Sequence, residues 1–390
     1  MKSVRMLMQC ALGMGVSVTA SAYDLNQWPT RYTSPDGTQW NITGNYQYDA
    51  MFARHNAVIE DAHTHRRKEF GLSARKQGQW DAIVYFDFQS KSWLDVFWRV
   101  NSQWLFGKDY GQIRLGHSKP QVGFEGGTAS RANSFVEMAL PMQAFFETRR
   151  TGIDWAFERP RYLLNLGYYF ASDLNGNNDG NTVTARAAWT PRKQQADVLH
   201  LGLSASLEHP HGSTDGRGVY TPASVRWRAR PEAGLTDVRL IDTGSLSHVH
   251  SNRRLGFEGL WIHGPLSLQG EYLQARSLRQ QGLPGYVGDG YYLFVSYVLT
   301  GESRTYAGGN VGNVIPARPW GAVELLLRHS ALNLDHDPIN GGHQHDLTLG
   351  VNWYLTQHFK FQANYVEARA SQQGVQQHPS ITELRAQVYF

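Results

Sequence analysis

The sequence predicts an all-β fold, a transmembrane antiparallel β-barrel formed by one closed sheet. Three observations carry this. The first residues read as an export leader, the rest of the chain falls into alternating segments separated by Gly, Asn, Asp and Pro turns, and the last strand is apolar and ends on Phe390.

Met1 to Ala22 has a basic start at Lys2 and Arg5, an apolar run from Met6 to Val18, and the small-residue sequence Ala20-Ser21-Ala22, the pattern of a cleaved secretory signal. The run falls short of the roughly 20 residues that a spanning helix needs. The expected division is a signal peptide over 1–22 and a barrel over 23–390. Cys10, the one cysteine, falls in the leader, so the exported part has neither disulfides nor thiolate ligands. Hydrophobic residues make up 41% of the 390, mean hydropathy is -0.46, and no later run approaches a membrane helix; a helical membrane protein is excluded. Removing Lys2 and Arg5 takes the formal charge from +4 to +2, too small a balance to argue for nucleic acid as a partner.

The strand signal recurs along the chain. Trp80, Ala82, Val84, Phe86 and Phe88 share one face against Asp81, Tyr85 and Asp87, and Tyr162, Leu164, Leu166, Tyr168 and Phe170 share another. The clearest case places Leu347, Leu349, Val351, Trp353 and Leu355 opposite Asp346, Thr348, Gly350, Asn352 and Thr356. Thr356-Gln357-His358 reads as a tight turn into a strand with Phe359, Phe361, Ala363 and Tyr365 on one face. Leu384, Ala386, Val388 and Phe390 close the series, a strand expected to pair with the first so that no backbone edge meets lipid. A soluble sandwich also alternates, but no linker or composition shift divides the chain into small domains.

One stretch breaks the rhythm. From Lys119 to Gly152 two prolines and the pair Gly126-Gly127 forbid a central strand, while Lys119, Thr128, Ser130, Arg131, Arg149 and Arg150 keep cations and hydroxyls in it. It is expected to be a long functional loop over about 119–150.

At this point the residues carry a family resemblance. Tyr297-Val298-Leu299-Thr300-Gly301-Glu302 with Arg304 and Tyr306, then Pro316-Ala317-Arg318-Pro319-Trp320-Gly321-Ala322-Val323-Glu324-Leu325, Asp346 to Tyr354, Asn364-Tyr365-Val366 and Leu384-Arg385-Ala386-Gln387-Val388 occur in order. The chain resembles the phosphate-selective porin O and P family. That resemblance implies about sixteen strands, a third loop folded inward to narrow the lumen, a homotrimer in the outer-membrane lipid of a Gram-negative cell, and passage of phosphate or similar small anions, with no cofactor.

The resemblance also gives the basic residues a role. Arg226, Arg228 and Arg230 are spaced by two, with Val225 and Trp227 on the other face, so as a wall strand they would line the lumen rather than face lipid. In the resembled channels such a ladder conducts anions toward the constriction; pairing with acids such as Glu232 or Glu258 is the plain alternative. Arg66 and Arg67 are adjacent, so at least one points inward if the strand has begun there. The anion-binding and pore-lining set expected is therefore Arg66, Arg67, Lys119, Ser130, Arg131, Arg149, Arg150, Arg226, Arg228 and Arg230. Selective members carry a denser run of third-loop hydroxyls than Thr128-Ala129-Ser130, which favours general anion preference over strict phosphate choice.

Other classes have less to stand on. His63 with His65, His248 with His250 and His343 with His345 share faces but lack a third ligand, so no metal site is expected. No nucleophile motif with a defined context points to a barrel enzyme, and no catalytic residue is assigned. Outer loops over Asp173 to Asn181 and Gly301 to Asn313 are the segments through which a surface-binding protein would act; they read as solvated connectors.

Overall fold

The structure, a computed structural model, describes residues 28–55 and 58–390. The leader expected over 1–22, with its Ala20-Ser21-Ala22 site, lies outside the described residues. Sixteen long strands follow one another as an antiparallel meander. They are β1 (Gln39–Arg54), β2 (Ala62–Lys76), β3 (Trp80–Asp87) and β4 (Ser92–Asn101); β5 (Gln112–Ser118), β6 (Arg150–Arg159), β7 (Tyr162–Ala171) and β8 (Gly180–Gln194). Next come β9 (Asp197–Pro210), β10 (Val249–His263), β11 (Leu266–Arg279) and β12 (Tyr286–Val298). The last four are β13 (Ala322–His336), β14 (Ile339–Tyr354), β15 (Phe359–Gln372) and β16 (Ser380–Tyr389). Closure is direct: β16 pairs with β1 from Asn45↔Tyr389 to Arg54↔Ser380. No described strand edge is left for lipid, as a bilayer requires.

Burial decides which side of the wall is apolar. On β14, Leu347 and Leu349 are 45% and 53% exposed, whereas Asp346 and Thr348 are fully inside. A soluble sandwich would reverse this. The apolar face of each strand points outward to hydrocarbon and the polar face inward, which identifies the alternation as that of a membrane barrel.

Both described chain ends lie at one rim. Of the seven connections at that rim, 77–79, 160–161, 195–196, 264–265 and 355–358 are short turns, which marks it as periplasmic. The connection 102–111 there carries α1 (Ser102–Phe106), capped by the Asn101 side chain accepting from the Gln103 amide at 2.9 Å. The connection 299–321 is a correction to the sequence reading. Gly301 to Asn313 is not an outer loop: counting strands places it at the periplasmic rim, and it folds back into the barrel, where Arg304 reaches Ser134 at 2.9 Å.

Two connections enter from the opposite rim. The first, 119–149, holds α2 (Leu140–Phe145), with Pro141 in its first turn. The second, 211–248, holds only two-residue strand pairs. Their apolar residues meet inside the barrel: Phe135, Leu140 and Phe145 of the first pack with Trp227, Ile241 and Leu246 of the second against Leu273, Tyr292 and Phe294 of the wall. The lumen thus holds a true hydrophobic core, which the strand pattern alone does not announce.

At the seam Gly44 exchanges backbone hydrogen bonds with Phe390 at 3.0 Å in both directions, and a Cβ on Gly44 would lie 2.4 Å from the Phe390 ring. Gly44→Val is expected to expel that ring and cost about 1–3 kcal/mol, read as a lower temperature of heat-induced barrel unfolding on denaturing gels; an unchanged temperature would contradict the seam packing.

Candidate functional site

The lumen site is built on buried ion pairs that hold the inserted loops to the wall. Arg328 of β13, fully buried, meets Glu232 of 211–248 at 2.6 Å and Glu125 of 119–149 at 3.2 Å, and donates to the Glu137 carbonyl at 3.0 Å. Arg254 of β10 meets Glu147 at 2.5 Å and Glu208 at 3.0 Å. Glu271 of β11 accepts from the Phe124 and Glu125 amides at 2.5 and 2.6 Å. Lys360, Gln362 and Asn352 donate to the Asn133 and Ser134 carbonyls. Of these side chains the sequence points to Glu232 as an ion-pair acid and to Asn352 as an inward strand residue, but not to the loop contacts they make. A single inward charge per strand is an ordinary barrel feature, and nothing local says which will meet a loop and which water.

The expected constriction residues divide by partner. Both Arg66 and Arg67 face inward, because the register slips where Gln47 pairs with Arg67 and Tyr48 with His65, leaving Arg66 as the extra residue of a β-bulge. Arg66 pairs with Glu137 at 2.9 Å and Arg67 with Glu69 at 3.0 Å. His63 and His65 lie before the bulge and point outward, bonded to Tyr48 and Tyr46. Arg149 pairs with Asp95 at 2.9 Å; Arg150, the first residue of β6 rather than the last of the loop, pairs with Glu208 at 2.5 Å. Lys119 donates to the Gly126 and Thr128 carbonyls at 2.8 and 2.9 Å, and burial, then the charge of Arg149, pushes its ammonium down to about 7. Ser130 lies 3.4 Å from both Asn45 and Glu69, against the wall and not on the axis.

Arg226, Arg228 and Arg230 require a correction. They are not on a wall strand; they lie in 211–248, where Ser224–Val225 pairs with Leu246–Ser247 and Arg228–Ala229 with Ile241–Asp242. The alternation is real, since Trp227 and Ala229 are buried while Arg226 and Arg228 are exposed. Its apolar face is covered from within, Trp227 donating to Ser277 at 3.1 Å and standing 5.4 Å from the Phe145 ring, where lipid would cover the apolar face of a wall strand. Spacing by two fixes a face but not what covers the other one. Arg226 pairs with Asp242 at 2.6 Å, Arg230 approaches the exposed Asp237 at 3.7 Å, and Arg228 has no ion pair among the described residues. Like charge crowds here: Arg239 is held down to about 10 by burial, then by Arg230 and Arg228.

On the periplasmic side of 119–149 lie connected polar hollows along β1–β7. One of 420 Å³ is lined by Arg31, Arg75 and Arg131 with Thr43 and Ser73; the next, also 420 Å³, shares Arg75 and Ser73 and adds Arg99 and Asp81. Arg99 is paired with Asp81 at 2.9 Å. Arg31, Arg75 and Arg131 have no ion pair among the described residues, so the excess charge of this space is positive. Arg131 was expected from the sequence; Arg31 and Arg75 were not, being single cations that come together only because the short strand Arg31–Thr33 and β2 both pair with β1. No group of three or more His, Asp or Glu side chains placed to hold a metal occurs among the described residues.

A closed sixteen-stranded barrel with polar loops folded into its lumen and an apolar outer wall defines a porin, a channel of the bacterial outer membrane. The chain belongs to the family described as Phosphate-selective porin O and P, which it matches over residues 40–390. It is 24% identical to Porin O of Pseudomonas aeruginosa over 357 residues, 83% of this chain and 80% of that one. It is 29% identical over 271 residues to an uncharacterized protein of Caulobacter vibrioides, covering 65% of this chain and about half, 52%, of that relative. In structure it is similar to an anion-selective porin from Comamonas acidovorans, with a TM-score of 0.54 at 12% identity over 90% of this chain and 100% of that one.

Removing the Arg328 charge leaves Glu125 and Glu232 buried without it. Arg328→Met is expected to destabilise the inserted loops by about 3–5 kcal/mol, seen as new protease cleavage within 119–149; a cleavage pattern like that of the parent would refute the anchoring role. Lys119 is cationic below its depressed pKa and neutral above it, so positive charge in the inserted loop is lost as pH rises through about 7. The anion-to-cation permeability ratio is expected to fall between about pH 6 and pH 8, and Lys119→Met to flatten that step; a step of equal size in the variant removes Lys119 as its source.

Proposed function

We propose that this porin is a passive channel for small anions, phosphate among them, in which Arg66, Arg67, Lys119, Ser130, Arg131, Arg149, Arg150, Arg226, Arg228 and Arg230 guide the ion. The observation that carries this reading is the distribution of cations without ion pairs. Arg228 stands in the outer half, and Arg131 with Arg31 and Arg75 stands beyond the constriction, so uncompensated positive charge flanks the inserted loop on both sides. Guanidinium groups offer a planar fork matched to an oxyanion edge. Several such groups in series attract an anion without one deep site that would hold it.

The ion pairs of Arg66, Arg67 and Arg149 do not remove them from this path. Arg66, Arg67 and Arg149 keep 28%, 29% and 23% of their side chains exposed, so they present donors to lumen water while a carboxylate fixes their aim. The hydroxyls favour a general anion channel over a strict phosphate filter. Thr128 turns its hydroxyl to the Phe124 carbonyl at 3.1 Å, Ala129 has none, and Ser130 contacts Glu69 at a long 3.4 Å, so that run offers at most one loosely held neutral donor.

A homotrimer fits the wall. The strands β3 and β5 have only 8 and 7 residues. Tilted as in a barrel, 7 residues rise roughly 18 Å against an apolar band about 25 Å tall. Packing that low wall against neighbouring copies removes the mismatch, and the far wall, with strands of 13 to 16 residues from β10 to β15, would meet lipid.

Replacement of Arg226, Arg228 and Arg230 by alanine is expected to lower anion over cation permeability; unchanged reversal potentials in a salt gradient would sink the ladder. Chloride current is expected to be inhibited by phosphate only at millimolar levels. Micromolar block would instead establish a selective phosphate site, and three equal conductance steps per insertion would accompany the trimer.

A further inference from the structure

The lipid-facing surface of β7–β11 carries a feature that ion conduction does not use. Arg253 of β10 and Arg276 of β11 are directly opposite each other in register, and both are exposed on the outward face, in line with Leu255 and Phe257 on one strand and Gln274 and Tyr272 on the other. Like charges in directly opposed positions of a sheet repel. Neither arginine forms an ion pair or hydrogen bond among the described residues, and the outward acid of β12, Asp289, stands opposite Gln274 and pairs with neither. Both belong to the outer ends of their strands, at the level where the apolar band gives way to the rim histidines His209 and His250.

Directly below them the wall is recessed. Two adjoining apolar hollows of about 810 Å³ and 450 Å³ share Leu164, Ala187, Leu203 and Phe257; the larger reaches Gly259, Gly270 and Tyr272, and the smaller reaches Leu255, the next outward residue after Arg253. Small residues make the floor, Ala187 on β8, Gly259 on β10 and Gly270 on β11, and large ones make the banks. Such a groove has the width and apolar lining that a hydrocarbon chain needs, and its upper end lies beneath both guanidinium groups.

We propose that this face is a binding site for a phosphorylated, multiply acylated lipid of the outer leaflet, its phosphate bridging Arg253 and Arg276 and one acyl chain lying along the groove past Gly259. A bridging phosphate turns the repulsion of the arginine pair into two charge-assisted hydrogen bonds. A second copy of this chain is the weaker fit as occupant, because β10 and β11 have 15 and 14 residues and expose a full apolar band suited to lipid. The site is independent of the channel proposal, since its residues face away from the lumen.

The test uses the full-length purified protein in a neutral detergent with fluorescent bis-phosphorylated lipid A as probe, followed by anisotropy. Arg253→Gln/Arg276→Gln is expected to weaken binding by about tenfold or more. Gly259→Leu, at a position where an added Cβ meets nothing nearer than Leu201 Cδ2 at 3.9 Å, is expected to weaken it as well by filling the groove. Both variants keep the parent's single-channel conductance, which verifies that they are folded. Equal affinity of the double variant and the parent overturns the site. So does equal binding of phosphatidylcholine, which would make it a non-specific apolar surface, or full displacement of lipid A by millimolar inorganic phosphate, which would make it a free-anion site.

Discussion

The interior of this barrel depends on one buried cation. Arg328 lies on β13 with no exposure and ties together Glu232, Glu125 and the Glu137 carbonyl, groups from two loops that enter the lumen separately. A guanidinium out of water is tolerable only with its donors met, and here they are met by the segments that must be held in place. Around it the loops build an apolar core from Phe135, Phe145 and Trp227, so the inserted third loop is a packed element and not a strand of chain hanging in water.

That arrangement separates the cations by task. Arg328, Arg254 and Arg186 are consumed in buried pairs and fix geometry. Arg228, Arg131, Arg75 and Arg31 have no ion pair among the described residues and give the lumen excess positive charge. Arg66, Arg67 and Arg149 are intermediate, each aimed by one carboxylate and still wet. A paired, exposed cation contributes little net field while an unpaired one contributes its full charge, so the second group dominates the field in the lumen, and the first determines where that group stands.

Much of the fold was legible in the sequence. Outward Leu347, Leu349 and Val351 against inward Asp346 and Asn352 have the period of a strand, and a period of two cannot be met by any other element. The third loop was legible for the same reason in reverse, since Pro120, Pro141 and the Gly126-Gly127 pair deny it that period. The arginine row was half legible. Its alternation was read correctly and its location was not, because Trp227 buried on a loop core and Trp227 facing lipid give the same pattern. Nor could spacing reveal the bulge that turns both Arg66 and Arg67 inward, which is visible only in the pairing of β1 with β2.

By itself, then, the sequence determined the barrel, its inside and outside, and the loop that interrupts it, because those follow from local polarity in a medium that excludes unpaired backbone. The tertiary structure alone decided which inward charges are spent on one another and which remain without an ion pair among the described residues. Glu125, Glu232 and Arg328 are far apart in the chain and ordinary in their own segments. Their meeting is a property of the closed lumen, where residues from opposite walls and from both rims share one small volume.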